Sequence, residues 1–246
     1  MNTYFISDLH LSDSEPKLSA AFDNFLTDTL QPSDHLYILG DFFDMWIGDD
    51  DDASLAKATQ ARLKQATDSG VTGYFIRGNR DFLLGRDYLD ECGFTLLEDH
   101  ITLELAGVRT LIMHGDTLCT DDKEYQQFRQ QVRSPAWQSQ VLGLPVEHRR
   151  AMAQQLRDQS QSMSAIKASD IMDVNQDEVE NVMSCAAATV LIHGHTHRPD
   201  THDLIVNDRQ CQRIVLGAWH DQGWYLKVSA HQQRPVYDLV SFELAA

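Results

Sequence analysis

Asp8-Leu9-His10 and His195-Thr196-His197 each place two metal-capable side chains at i and i+2, and Asp41, Asn79 and His114 stand between them in the chain. In extended backbone, residues i and i+2 point to one face, so each pair is expected to present its two side chains together. Carboxylate, imidazole and amide donors in one set suit a borderline divalent ion such as Mn, Fe, Zn or Co, not an all-oxygen calcium site. Asp41 follows Gly40 alone, and its two carboxylate oxygens suit it to bridge two ions. Gly78, before Asn79, lets the backbone approach closely. Two such ions roughly 3.5–4 Å apart polarise a phosphoryl group and turn a shared water into hydroxide near neutral pH. A lone His-x-His is more often unrelated to metal. Here five such endings occur in order, which makes a ligand set.

Each ending follows a short apolar run: Tyr4-Phe5-Ile6, Leu36-Tyr37-Ile38-Leu39, Tyr74-Phe75-Ile76, Leu111-Ile112-Met113 and Val190-Leu191-Ile192. Such runs read as strands buried on both faces. Helix-compatible segments such as Leu55 to Thr67 lie between them, which argues for an α/β fold with ligands at the strand carboxyl ends. Arg213-Ile214-Val215-Leu216 is a further strand ending at Gly217, and the stretch from Trp224 to Glu243 is expected to extend a second sheet. Residues 121 to about 170 are rich in Gln, Arg and Ser, and space Tyr125, Phe128 and Val132 as a helix would. We expect a helical insertion there within one domain spanning 1–246, and a solvated loop at Asp49 to Asp52.

The net charge of −17 disfavours unspecific nucleic-acid binding, which needs cationic surface. Cys92, Cys119, Cys185 and Cys211 form no CxxC pair, so neither a zinc ribbon nor a disulfide framework is expected, and a reducing compartment is. Thr3-Tyr4-Phe5-Ile6 enters a strand at once, with no signal-peptide pattern and no apolar run of transmembrane length anywhere. The expectation is a cytoplasmic protein whose membrane contact, if any, is peripheral, with no obligatory protein partner evident.

Asp8-x-His10, Gly40-Asp41, Gly78-Asn79, His114-Gly115 and Gly194-His195-x-His197, in this order, resemble the calcineurin-like metallophosphoesterase family. The resemblance implies a two-sheet sandwich flanked by helices, with one ion on Asp8, His10, Asp41 and His197 and the other on Asp41, Asn79, His114 and His195. His10, Asp41 and Arg80 are the expected catalytic residues. Many members carry His where Arg80 stands. An arginine does not donate its proton in practice, but its fork clamps phosphate oxygens and neutralises developing charge. That suits a leaving group able to depart without a strong acid, such as the phosphate of a nucleoside diphosphate ester.

Gly40-Asp41-Phe42-Phe43-Asp44-x-Trp46-Ile47-Gly48-Asp49-Asp50, His114-Gly115-Asp116-x-Leu118-Cys119-Thr120-Asp121-Asp122 and His193-Gly194-His195-Thr196-His197-Arg198-Pro199 resemble the branch that hydrolyses UDP-2,3-diacylglucosamine. That resemblance implies manganese, attack of water at the α-phosphorus, and a helical lid over the substrate at the inner face of the inner membrane. It maps Asn79, Arg80, Asp122, Ser160, Ser164, Lys167 and His195 onto UMP-side or phosphate contacts, with Ser164 standing where some relatives have Asn. Trp46, Phe82, Tyr125, Phe128, Val141, Met152 and Leu156 either line an acyl chamber or pack the lid on the core, with Arg157 near the head group. Arg129, Arg133, Arg149, Arg150 and Arg157 either face anionic lipid or form a solvated helix face. The alternative within the fold is an enzyme for a soluble nucleotide, whose lid needs no deep apolar chamber. Scaffolds of this fold that have lost catalysis usually lack ligands, whereas each expected one is present here.

Overall fold

Apolar runs of four to six residues, too short for helices, become the central strands. The computed structural model describes residues 1–166 and 173–244, without the side chains of 159–166. One sheet contains β1 (Thr3–Ile6), β2 (His35–Ile38), β3 (Thr72–Phe75) and β4 (Phe94–Leu96), continued beyond β1 by β10 (Gln222–His231) and β11 (Arg234–Glu243), in the order β11-β10-β1-β2-β3-β4. The other contains β5 (His100–Leu105), β6 (Val108–Met113), β7 (Val190–His193), β8 (Asp200–Val206) and β9 (Arg209–Val215), in the order β5-β6-β7-β9-β8.

Period-two alternation divides each run between two cores. Phe5, Tyr37 and Leu226 of the first sheet meet Ile112, Ile192 and Ile214 of the second. Tyr4, Ile6, Leu36 and Ile38 face outward against α1 (Pro16–Asn24), α2 (Ser54–Asp68) and α3 (Arg86–Cys92). Leu111 and Leu191 face outward against Val179 and Met183 of α7 (Gln176–Ala186). The result is the expected α/β sandwich of two sheets flanked by helices. Strands β1, β2, β3 and β4 pair in parallel, as do β6, β7 and β9, so their carboxyl ends gather on one side.

Two expectations need correction. The C-terminal strands do not extend a second sheet: β10 pairs antiparallel with β1, covering what would otherwise be an open edge beside the site. Nor is the aspartate run merely a solvated loop: Asp50 and Asp52 stay exposed, but Asp49 accepts the Gly85 N–H at 2.8 Å. Between β6 and α7 lie α4 (Lys123–Val132), α5 (Pro135–Leu142) and α6 (Val146–Ile166), and the acids answer arginines on α6. Arg149, only 3% exposed, forks onto Asp50 and donates to the Ile47 carbonyl at 2.7 Å. Arg150 reaches Asp51 at 3.1 Å and Asp52 at 3.4 Å, and Arg157 reaches Asp44 at 2.9 Å. From α4, Arg129 binds Asp116 at 2.7 Å and Asp99 at 2.6 Å, while Arg133, just past its end, donates to the Gly78 carbonyl at 2.9 Å. These arginines are paired with acids or carbonyls of the sandwich, Arg150 while still 38% exposed. They fasten the helices to the sandwich, through pairs too distant in sequence to be read there. No helix among the described residues is long and apolar enough to cross a membrane.

Trp219 joins the fold to the site. Its backbone N–H donates to the Asp8 carbonyl at 3.0 Å, its indole N–H donates to the Trp224 carbonyl at 2.8 Å, and its ring meets Phe22 and Phe242 edge-on. Trp219→Ala is expected to destabilise the protein by about 3–5 kcal/mol, read as a lower urea midpoint. A wild-type midpoint would remove the ring from the core.

Candidate metal centre

Where each strand ends, the chain must turn at once to stay at the sandwich rim. Asp8 (φ 56°), His10 (φ 52°), Asp41 (φ 50°), His195 (φ 67°) and His197 (φ 57°) all adopt left-handed backbone. The expected convergence of the i, i+2 pairs therefore arises in strained turns, not in extended strand as the alternation argument held. Asp and His visit this region more readily than most residues, and such strain concentrates at functional sites. Local bonds hold the turns: the Asp8 N–H donates to the Gly40 carbonyl and the His10 N–H to the Asp41 carbonyl, both at 3.0 Å, and the His195 N–H donates to Asp8 Oδ2 at 2.8 Å. Glycine is required at the closest approaches. A Cβ on Gly78 would lie 2.2 Å from Asp41 Oδ1, and one on Gly194 would lie 2.1 Å from Ser7 Oγ.

Among the described residues, two groups of side chains have ligand atoms within 4.8 Å of one another: Asp8, His10 and His197, and Asp8, Asp41 and His114. Asp8 belongs to both and Asp41 to one. Asn79 joins the second group, its Oδ1 lying 2.9 Å from His114 Nε2. His195 packs its ring edge-on against His114 at 5.0 Å between centroids. The described residues of the expected ligand set thus come together.

The donors fit divalent ions. Asp8 and Asp41 are both buried, and burial together with the Asp8 charge raises the Asp41 carboxyl above its usual range. Asp8 Oδ2 accepts from Ser7 Oγ at 2.6 Å and from the His195 N–H, whereas Oδ1 is buried with no hydrogen-bond partner, 3.3 Å from His197 Nε2. His114 Nδ1 lies 2.8 Å from the Leu39 carbonyl, which only accepts, so Nδ1 carries a proton and Nε2 faces the oxygen of Asn79. A positive charge belongs at Nε2. Burial lowers the His114 imidazole, but the charges of Asp41 and Asp8 outweigh it and raise it above its ordinary range. Burial pushes His10 and His195 down to about 4, leaving neutral rings able to ligate.

A cavity of about 290 Å³ opens beside the cluster. Asn79, Arg80 and Asp122 line it together with Trp46, Phe82, Tyr125, Phe128, Val141, Met152, Leu156 and Arg157. Trp46, Phe82 and Val141 also belong to the buried core, and Phe128 and Met152 pack against it, so lining and packing are not exclusive. Asp122 caps α4 by accepting the Tyr125 N–H at 3.0 Å. Arg157 is held by Asp44. The side chains of Ser160 and Ser164, and Lys167 altogether, lie outside the described residues.

The chain matches the family described as Calcineurin-like phosphoesterase over residues 1–199. It is 53% identical to a protein named UDP-2,3-diacylglucosamine hydrolase from Cellvibrio japonicus, over 94% of this chain and 96% of that one. A protein of the same name from Escherichia coli O127:H6 is 50% identical over the same shares. Among solved structures, an archaeal phosphodiesterase aligns with a TM-score of 0.46 at 14% identity, covering 98% of this chain and 100% of that one.

Residues that the motif reading passed over hold the ligand loops. Asp81, wholly buried, accepts the N–H groups of Gly78 (2.7 Å), Phe42 (2.8 Å) and Asp41 (3.3 Å), tying two loops to one carboxylate. Asp116, also buried, accepts from Tyr125 Oη at 2.6 Å besides pairing with Arg129. Asp116 stands inside a quoted motif and Asp81 two residues past Asn79, but nothing in their spacing reveals which groups they reach. Asp81→Ala leaves buried N–H groups unpaired, at about 1–3 kcal/mol each. The expected outcome is a lower denaturant midpoint together with weaker metal retention; a variant equal to wild type in both would exclude the role given to Asp81.

Proposed function

The chain belongs to the calcineurin-like phosphoesterase family, and from that premise we propose that it hydrolyses UDP-2,3-diacylglucosamine to UMP and 2,3-diacylglucosamine 1-phosphate, a step towards lipid A. The observation that carries this reading is the junction at Asn79 and Arg80, where the ligand cluster opens directly into an apolar cavity under α4–α6. A soluble nucleotide would need no such chamber.

In this reading Asp8, His10, Asp41, Asn79, His114, His195 and His197 would hold two divalent ions, with Asp41 proposed as a ligand common to both, beside Asp8, which stands in both groups. Manganese suits the mixture of hard oxygen and imidazole donors. When bound, such a pair supplies Lewis-acid polarisation and a water acidic enough to ionise near neutral pH. Water attacks the α-phosphorus, the bond to the bridging oxygen breaks, and that oxygen leaves on the sugar phosphate. One water is consumed, and its protons are shared between the two phosphate products and solvent.

Arg80 has its Nε 4.0 Å from Asp41 Oδ2 and lines the cavity, so its guanidinium is placed to neutralise charge growing on the phosphoryl oxygens. It acts as a charge partner and not as a proton donor. The leaving phosphate therefore departs by its own stability. Asn79, Arg80, Asp122, Ser160, Ser164, Lys167 and His195 are proposed to hold the UMP side or the phosphates. Trp46, Phe82, Tyr125, Phe128, Val141, Met152 and Leu156 are proposed to surround acyl chain, with α4–α6 as the lid. Each methylene taken from water adds about 0.8 kcal/mol. A diacylated substrate resides in a bilayer, so the enzyme meets the cytoplasmic membrane face peripherally, by a surface other than the paired arginines.

Incubation with UDP-2,3-diacylglucosamine and Mn²⁺ in ¹⁸O-labelled water is expected to place the label in UMP; label in the sugar phosphate would refute attack at the α-phosphorus, and no turnover would refute the substrate. Arg80→Ala should lower kcat about 10²-fold or more. An unchanged rate removes Arg80 from the chemistry. Phe128→Ala should raise KM for the diacylated substrate while sparing a deacylated analogue; equal loss with both would mean general damage.

A further inference from the structure

Asp44 stands between the ligand cluster and α6. Its carboxylate takes both arms of the Arg157 guanidinium, Nε at 2.9 Å on Oδ2 and Nη2 at 2.8 Å on Oδ1. On its other side, His10 Nδ1 lies 4.0 Å from Asp44 Oδ1, and this nitrogen is buried without a hydrogen-bond partner. The far nitrogen of the same ring, Nε2, faces His197 Nε2 at 3.3 Å inside the first ligand group. The imidazole therefore offers one nitrogen to the cluster and the other to a carboxylate fixed by a helix more than a hundred residues away in the chain.

We propose that Asp44 is a positioning residue for His10, and that Arg157, by aiming Asp44, couples closure of α6 over the cavity to metal binding at the His10 site. The inference rests on the binuclear reading given above. An imidazole that ligates through one nitrogen gains basicity and a fixed orientation when the other nitrogen donates to a carboxylate. The Nδ1 to Oδ1 gap is about 1 Å longer than a hydrogen bond, so a small turn of the ring closes it. Arg157 binds both oxygens of Asp44, and its fork holds the carboxylate in one plane. Arg157 also lines the cavity, so the same guanidinium contacts the space where substrate would lie and the carboxylate behind the ligand. Coupling of this kind is reciprocal: if α6 in place strengthens metal binding, metal must strengthen α6 in place.

The test uses metal-stripped full-length protein titrated with Mn²⁺, with binding read by calorimetry and α6 followed over residues 146–158 by amide hydrogen exchange. Wild type is expected to bind two ions and to gain protection in α6 on binding. Asp44→Ala should weaken one of the two sites by about 10–100-fold and abolish the gain in protection, with Asp44→Asn intermediate. Arg157→Met, which keeps the apolar stem, should weaken the same site by a smaller factor. The double variant Asp44→Ala/Arg157→Met should be no weaker than Asp44→Ala alone. Wild-type affinities in Asp44→Ala, or losses that simply multiply in the double variant, overturn the coupling while leaving the metal centre intact. Failure of wild type to bind Mn²⁺ overturns the metal-centre reading and the coupling with it. Should Asp44→Ala not fold, an Arg157→Met protein with unchanged affinity and unchanged α6 protection overturns the proposal by itself.

Discussion

Two buried carboxylates side by side, Asp8 and Asp41, are the constraint around which this chain is organised. Like charges shielded from water repel strongly, and Arg80, its Nε 4.0 Å from Asp41 Oδ2, offsets that repulsion on the Asp41 side. Positive charge has to come from elsewhere, and imidazoles and an amide oxygen around them are arranged as partners for a cation. The left-handed turns at Asp8, His10, Asp41, His195 and His197 are tolerable because the surrounding bonds over-determine them. Asp81, Trp219, and the close contacts of Gly78 and Gly194 are those bonds and contacts. Strain at the rim is thus carried by a rigid sandwich below it.

The same electrostatic logic extends outward to the helices. A chain with net charge −17 has few cations to place, and it places several under the helices that cover the cavity. Arg129 and Arg133 seat α4 on Asp116, Asp99 and the Gly78 carbonyl, while Arg149, Arg150 and Arg157 seat α6 on the acids between β2 and α2. Forked guanidinium bonds fix orientation as well as distance. In the Arg149–Asp50 pair only the guanidinium is buried, and its main value is to specify where α6 lies. The cavity keeps its shape because its cover is mounted on ion pairs, of which Arg157 with Asp44 also stands in the lining.

Much of this was legible in the sequence. The central strands, the α/β class and the gathering of Asp8, His10, Asp41, Asn79, His114 and the two late histidines follow from apolar runs that end in ligand-type residues. Hairpin β10–β11 was visible as strand, but its sheet was not, because antiparallel pairing of Tyr4 with Lys227 joins chain ends that share no local signal. The Asp49 to Asp52 run looked solvated because a charge run carries no record of its partners. Left-handed turns were missed for a related reason: alternation rules apply inside a strand, and the ligands begin where the strand stops. Asp81 and Asp116 escaped because a carboxylate that binds backbone N–H groups has no spacing signature.

The distribution of polarity along the cavity bears on why Arg80 stands where an acid would serve other phosphoesterases. Binding energy from a remote apolar tail helps the chemical step only if it is expressed at the reacting bond. In the proposed reading, burying acyl chain beneath α4–α6 draws the head group against Asn79 and Arg80, where the cavity meets the ligand cluster. An arginine there is charged at every working pH, so its field is already present when charge develops, and no proton has to be restored between turnovers. A histidine in the same place would be titrated by the charges around it, as burial already holds His10 and His195 neutral. For a pyrophosphate, whose leaving group needs no proton to depart, a permanent cation loses nothing by being unable to act as an acid. The chemistry at position 80 and the greasy cover above it are therefore two consequences of one substrate: a good leaving group at one end and apolar chains at the other.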